Sequence, residues 1–123
     1  MSCKLYKQEI LRSKISIDQL FQKGKTFQEQ PLRLRWLLKE ENLEFPVQVV
    51  FVVPKKIIPL ASNRNLIKRR MRESFRKNKL KLYAELENNS QQIHVAIIYN
   101  SKLVMEYTDI EKKIILSLSK LAQ

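Results

Sequence analysis

SNRNLIKRRMRESFRKNKLK, residues 62–81, decides how the rest of the chain is arranged. Between Arg64 and Lys81 nine Lys or Arg stand against one acid, Glu73, so this stretch carries a net +8 of the chain's +12. At about 100° per residue, Asn65, Lys68, Arg69, Arg72, Arg76 and Lys79 share one stripe of a helix. Ile67, Met71, Phe75, Leu82 and Leu86 share a neighbouring stripe and pack inward. Arg64 falls close to the apolar stripe, which fits a late helix start or a side chain that snorkels outward. A solvated face is the plain alternative for such a run. It is disfavoured here because like charges three and four apart repel, and only Glu73, through Arg70 and Lys77, relieves them. A polyanion would remove that repulsion, and arginine's planar fork grips phosphate with two bonds.

On either side of this helix lies a strand that is apolar on both faces. Residues 45–54 carry Val47, Val49, Phe51 and Val53 on one face and Val50 and Val52 on the other, as expected of a central strand. Residues 92–99 are interrupted only by His94, for which a structural role is expected. A helix joining two such strands makes them parallel neighbours, and the usual hand of that crossover is right. The helix is expected to begin between Pro59 and Asn63, with Ser62 or Asn63 as its cap, and to fade at a polar break, residues 88–90.

Upstream, residues 31–39 alternate Leu32, Leu34, Trp36 and Leu38 with Arg33, Arg35, Leu37 and Lys39, a strand with one apolar and one largely basic face. Residues 25–28 form a short strand, and residues 40–44 a charged turn. Ser16 and Gln19 make a capping box, with Ile15 and Leu20 as its hydrophobic staple. Ile17, Leu20 and Phe21 lie on one face of that short helix, and Gly24 is placed to end it in a left-handed conformation. Downstream, Thr108 and Glu111 make another capping box, and Tyr107, Ile110, Ile114, Leu118 and Leu121 repeat as a buried helical stripe. The order α-β-β-β-α-β-α makes a single-domain α+β sandwich over residues 15–123. Residues 1–14, basic and weakly patterned, precede it as an arm that orders on binding or a loose lead-in.

Composition narrows the function. A chain of 123 residues, 44% hydrophobic, holds one domain with a core, and a pI near 10.0 points to nucleic acid or an anionic membrane surface. No apolar run approaches the ~18 residues of a membrane span, and no signal-peptide core is evident. One cysteine, Cys3, and one histidine, His94, provide neither a disulfide nor a zinc site nor a Cys/His pair, and the lone cysteine fits a reducing cytoplasm. Acids are scattered among lysines with no spacing suited to hydrolysis. No catalytic residue is expected.

The run RNLIKRRMRESFR resembles the arginine-rich signature R-N-R-x-K-R-x-x-R of the bacterial ribonuclease P protein family. The match falls on Arg64, Asn65, Lys68, Arg69 and Arg72, then Glu73 and Phe75, and extends upstream to VVPKK. Leu66 stands where the family usually has a second arginine, and Ile58 and Pro59 where it usually has a glycine. The resemblance implies a left-handed βαβ crossover, against the usual rule. It also implies that this chain is an accessory subunit, with the active site in a large catalytic RNA. Mg²⁺ would then be bound mainly by that RNA and the substrate. Arg64, Asn65, Lys68, Arg69, Arg72, Arg76 and Lys79 would bind the catalytic RNA.

By the same resemblance, a cleft between the first helix and the sheet would hold the single-stranded 5′ leader of precursor tRNA, lined by Ile17, Phe21, Arg35, Lys55 and Lys56. The family often has an aromatic where Ile17 stands. From the residues alone, Phe21 is most simply core, a slip of one residue would exchange Arg35 for Trp36, and Lys56 is also a plain lysine at a strand end. The expected function is support of tRNA 5′ maturation in the cytoplasm, with catalytic RNA and precursor tRNA as partners and neither membrane nor DNA. A ribosomal or ribosome-assembly RNA-binding protein is the alternative. A DNA major-groove helix is weaker, because Asn65 is nearly alone as a polar reader.

Overall fold

In the computed structural model, which describes residues 4–40 and 44–122, a 3-10 turn (Lys7–Glu9) leads into α1 (Lys14–Lys23). Then come strands β1 (Lys25–Glu29), β2 (Leu32–Lys39) and β3 (Val47–Val52), helices α2 (Ala61–Asn78) and α3 (Leu80–Asn88), strand β4 (Gln92–Tyr99) and helix α4 (Tyr107–Leu121). The expected element order is found, with the long helix broken in two. Cys3 and most of the charged turn, residues 41–43, lie outside the described residues.

One four-stranded sheet runs β1-β2-β4-β3. β1 and β2 form an antiparallel hairpin through a cis Gln30–Pro31 bond, β2 pairs antiparallel with β4, and β4 pairs parallel with β3. The crossover therefore joins parallel neighbours as expected, but β4 is central and β3 lies at the edge. Apolar residues on both faces of β3 misled, because they report burial rather than position in the sheet. One face (Val47, Val49, Phe51) enters the main core, and Val50 packs under α1. Its outer edge is covered by the N-terminal segment: Leu11 N–H donates to Val49 O at 2.8 Å, Ile10 bridges Val49 in parallel, and Gln48 Nε2 donates to Gln8 O at 3.1 Å. An unpaired strand edge is thereby closed. Residues 4–14 are accordingly packed rather than a loose lead-in, with Leu11 and Glu9 buried.

The pleat sorts the sheet into two layers. Leu32 and Leu34, Val49 and Phe51, and Val95 and Ile97 meet Ile67, Met71 and Phe75 of α2 and Ile110, Ile114 and Leu118 of α4. Phe51 meets Phe75 edge-on at 5.8 Å, and Phe75 meets Tyr83 at 6.4 Å. Each such side chain contributes roughly 1.5–3 kcal/mol by leaving water, which fixes the basic helix rigidly on the sheet. On the opposite face, Leu20 and Leu11 pack with Ala96, Ile17, Leu37, Val50 and Ile98 in a smaller core beneath α1. His94 is buried in β4, as a structural residue would be.

Helix ends differ from the capping signals. α1 starts earlier than the Ser16–Gln19 box requires: Ser13 is its cap, with Oγ accepting from Ser16 N–H at 3.3 Å. Leu60, in extended conformation, caps α2 in place of Ser62 or Asn63, and its carbonyl accepts from Asn63 and Arg64 N–H. α4 starts at Tyr107 after Glu106. Glu111 is drawn away from a capping role by Asn78 Nδ2 and the Tyr107 hydroxyl, both donating to its Oε2 at 3.1 Å. The polar break after α3 is a Schellman end built on serine: Ser90 has φ 53°, Gln91 N–H reaches Leu86 O at 2.8 Å, and Ser90 N–H reaches Glu87 O at 3.1 Å.

Gly24 ends α1, but in extended backbone (φ −68°, ψ 149°), not left-handed. Its smallness serves a close approach of α1 to β2. A Cβ there would stand 2.4 Å from Leu20 O, 2.7 Å from Arg35 Cγ and 3.1 Å from Trp36 O. Gly24→Ala is expected to lower stability by about 1–3 kcal/mol, as overpacking does, measured by urea unfolding. A stabilised variant would contradict it.

Candidate nucleic-acid interface

The α2 stripe is held out by its own apolar face. Ile67, Met71 and Phe75 are fully buried, while Asn65, Arg69 and Arg72 are exposed and Lys68 is half-buried. Among the described residues none of these four polar side chains makes a hydrogen bond or ion pair. They form a row of outward donors without a side-chain partner among the described residues.

Other cations of the helix are already engaged. Arg64 Nη1 donates to Ile58 O at 3.0 Å and Pro59 O at 2.7 Å, so it fastens the loop after β3 to the start of α2. Arg70 Nη1 donates to Met105 O at 2.5 Å and anchors the loop before α4. Arg76 grips Glu73 with Nε at 3.0 Å and Nη2 at 2.6 Å, and that hydrogen bond holds the Glu73 carboxyl below the usual carboxylate range.

Lys79 is the clear correction among the expected RNA-binding residues. It is only 2% exposed and points into the protein at the break between α2 and α3. Its Nζ lies 2.5 Å from Glu9 Oε1, and Glu9 is itself fully buried. The Tyr83 hydroxyl donates to the same oxygen at 2.6 Å, and Tyr6 N–H to Oε2 at 2.6 Å. Burial, then the carboxylate of Glu9, pushes the Tyr83 phenol well above its ordinary range. A buried charge is retained only when paired, so Lys79 is a structural cation that ties α2–α3 to the N-terminal segment. Helical spacing put it on the stripe. Glu9, its partner, lies 70 positions away in sequence, where no pattern announces it.

On the other face of the sheet, Phe21 and Arg35 come together. The Arg35 guanidinium donates to Phe21 O and lies 5.7 Å from the centre of the Phe21 ring. Arg35 pairs with Ala96, which is in the α1 layer, whereas Trp36 packs against the main core with Lys25 above it. The register thus favours Arg35 over Trp36. Phe21 is 37% exposed, so it lies at the surface rather than in the core. Ile17 is half-buried on the same layer beside Val50 and Ile98. Lys55 and Lys56 are exposed in the turn that follows β3 and share no hydrogen bond or ion pair with Phe21 or Arg35. Sequence reasoning did not single out Lys7 and Arg12, two exposed cations of the N-terminal segment that line one recess with Arg72. Their only signal was the basic character of that segment.

A family model described as Ribonuclease P matches residues 5–122. A ribonuclease P protein component of Chlorobium phaeobacteroides is 33% identical over 103 residues, 77% of this chain and 70% of that protein. One from Porphyromonas gingivalis is 30% identical over 118 residues, covering 96% of this chain and 86% of its own length. Among solved structures, an RNase P protein from Staphylococcus aureus superposes with TM-score 0.74 at 18% identity, over 94% of this chain and 98% of that one. The RNase P protein from Thermotoga maritima gives 0.71 at 22% identity, over 91% and 96%. At such identities the superpositions speak for the fold, while the family model and the sequence relatives speak for descent. The helix that carries the row of unpartnered cations thus sits within a match that runs nearly from end to end, and the chain belongs to the ribonuclease P protein family, the accessory subunit of the enzyme that matures the 5′ end of tRNA.

Proposed function

We propose that this chain binds the catalytic RNA of ribonuclease P through α2, and the 5′ leader of precursor tRNA between α1 and the sheet. The observation that carries the first half is the row Asn65, Lys68, Arg69 and Arg72, exposed or half-buried, without side-chain partners among the described residues, on a helix fixed by a fully buried face. Arginine and lysine in such a row neutralise successive phosphates and release their counterions. Arg64 and Arg76 support the row by fixing the loop before it and spacing its last turn. Lys79 is left out of it.

Phe21, with the Arg35 guanidinium over its ring, supports the second half. Stacked aromatic and guanidinium planes accept unpaired bases irrespective of sequence. Lys55 and Lys56 add charge at the end of β3.

Among the described residues no group of three or more His, Cys, Asp or Glu is placed to hold a metal ion. We assign the ion to the catalytic RNA and the substrate, because Mg²⁺ is held mostly by phosphates and waters with few protein ligands. The chain's own share is to position and neutralise. Cytoplasm, where precursor tRNA would be met, is the compartment assigned with it; among the described residues no helix is long and apolar enough to cross a membrane.

The test is differential. Phe21→Ala with Lys56→Ala should weaken binding of precursor tRNA to the assembled complex by the worth of about one stacked base, 1–3 kcal/mol. Mature tRNA, which lacks the leader, should bind as before. Because Phe21 is partly exposed, the melting temperature should hardly move. Equal losses for both tRNAs would remove the leader site from these residues.

A further inference from the structure

We propose that Lys7, Arg12 and Arg72 form a composite site for one backbone phosphate of the folded RNA that docks on α2. The inference rests on the RNA-binding role of α2 and extends that surface onto the N-terminal segment.

The three cations line one open recess of about 300 Å³, walled by Leu5, Tyr6 and Ile10. Two elements far apart in sequence supply them, and among the described residues no acid lines it. The acids nearest in sequence are engaged elsewhere: Glu9 has its carboxylate turned inward, where Lys79, Tyr83 and the Tyr6 N–H occupy it, and Glu73 is gripped by Arg76. Lys7 and Arg12 are exposed and their side chains make no hydrogen bond or ion pair among the described residues, and neither does the Arg72 side chain. Such an arrangement concentrates positive potential against low-dielectric walls, which focuses the field on an anion.

The site is also built rather than incidental. Leu11 is buried and its N–H is bonded to Val49 O, Ile10 bridges Val49, and Gln48 holds Gln8 O. Lys7 and Arg12 flank these fixed points, so little chain entropy remains to be lost when an anion is bound. Two arginines favour a phosphodiester oxygen pair over a lone carboxylate oxygen. Continuity with Arg69 and Lys68 along α2 assigns the phosphate to the RNA on that helix. The tRNA leader is placed on the opposite face of the sheet.

Binding of the catalytic RNA of ribonuclease P is measured at several salt concentrations for wild type, Lys7→Ala/Arg12→Ala, Arg72→Ala, Arg69→Ala and the triple variant Lys7→Ala/Arg12→Ala/Arg72→Ala. The double variant is expected to lower the magnitude of the log affinity against log salt slope by about 0.7–0.9, one phosphate's worth. Adding Arg72→Ala should cost clearly less than its effect in the wild-type background, because the three share a phosphate. A double variant that matches wild type in affinity and slope while Arg69→Ala lowers both would overturn the site and leave the α2 interface standing. No effect in any variant would overturn both. Full additivity with Arg72→Ala would overturn the sharing of one phosphate. Inorganic phosphate, titrated at constant ionic strength, gives the remaining arm. A rise in melting temperature that the double variant loses, with RNA affinity unchanged, would mean that the recess takes a free anion and not RNA.

Discussion

Glu9→Ala is expected to lower the free energy of unfolding by about 3–5 kcal/mol, the usual cost of leaving half of a buried ion pair. Glu9 is fully buried, Lys79 is 2% exposed, and their charged atoms are 2.5 Å apart. Without the carboxylate, the Lys79 ammonium, the Tyr83 hydroxyl and the Tyr6 N–H all lose their acceptor. A domain of this size has about 5–15 kcal/mol in total, so the variant should melt far earlier. Lys79→Ala should cost a similar amount. The combined variant Glu9→Leu, Lys79→Met, Tyr83→Phe removes both orphaned side-chain groups, leaves only the Tyr6 N–H without its acceptor, and should recover much of the loss. Urea unfolding of the single and combined variants checks this. A Glu9→Ala cost below about 1 kcal/mol would mean that the pair does not hold the N-terminal segment.

The pair also marks where the sequence stopped being informative. Element order, the α4 stripe and the docked basic helix follow from local periodicity, because apolar spacing of 2 or 3.6 directly reports which face is buried. The place of β3 in the sheet does not, since Val50 is covered by the α1 layer and the strand edge by residues 10 and 11. An edge strand covered by distant chain has the composition of a central one.

The stripe was legible for the same local reason, and it failed at one residue for a non-local one. Asn65, Lys68, Arg69 and Arg72 lie outward as helical spacing requires. Lys79 falls at the same angle but turns inward, because the helix breaks there and Glu9 waits behind it. Capping boxes were misplaced where the side chains they needed had better partners, as with Glu111 and Asn78. Phe21 and Arg35 were named from resemblance to the family. Their meeting depends on the sheet register and on the close approach at Gly24, which residue patterns leave open.

The other large effect is expected from the stripe itself. Lys68→Ala, Arg69→Ala and Arg72→Ala together remove three cations whose side chains make no hydrogen bond or ion pair among the described residues. At about 1.5 kcal/mol per charge-assisted contact, the lower end of the usual range, affinity for the catalytic RNA should fall about a thousandfold. The salt slope should flatten by roughly 2–3 units. Thermal stability should stay near wild type or rise slightly, since three mutually repelling charges are gone.

Cleavage of precursor tRNA across Mg²⁺ concentrations brings the whole account to one assay, run with catalytic RNA alone, protein alone, RNA with wild-type protein, and RNA with the triple variant. Protein alone should give no cleavage, and RNA with wild-type protein should cleave faster than RNA alone. The gain should be largest when Mg²⁺ is scarce, where protein cations replace missing counterions. RNA with the triple variant should behave like RNA alone at protein concentrations that saturate the wild-type complex. Metal-dependent cleavage by nuclease-free protein alone, or a triple variant as effective as wild type, would contradict it.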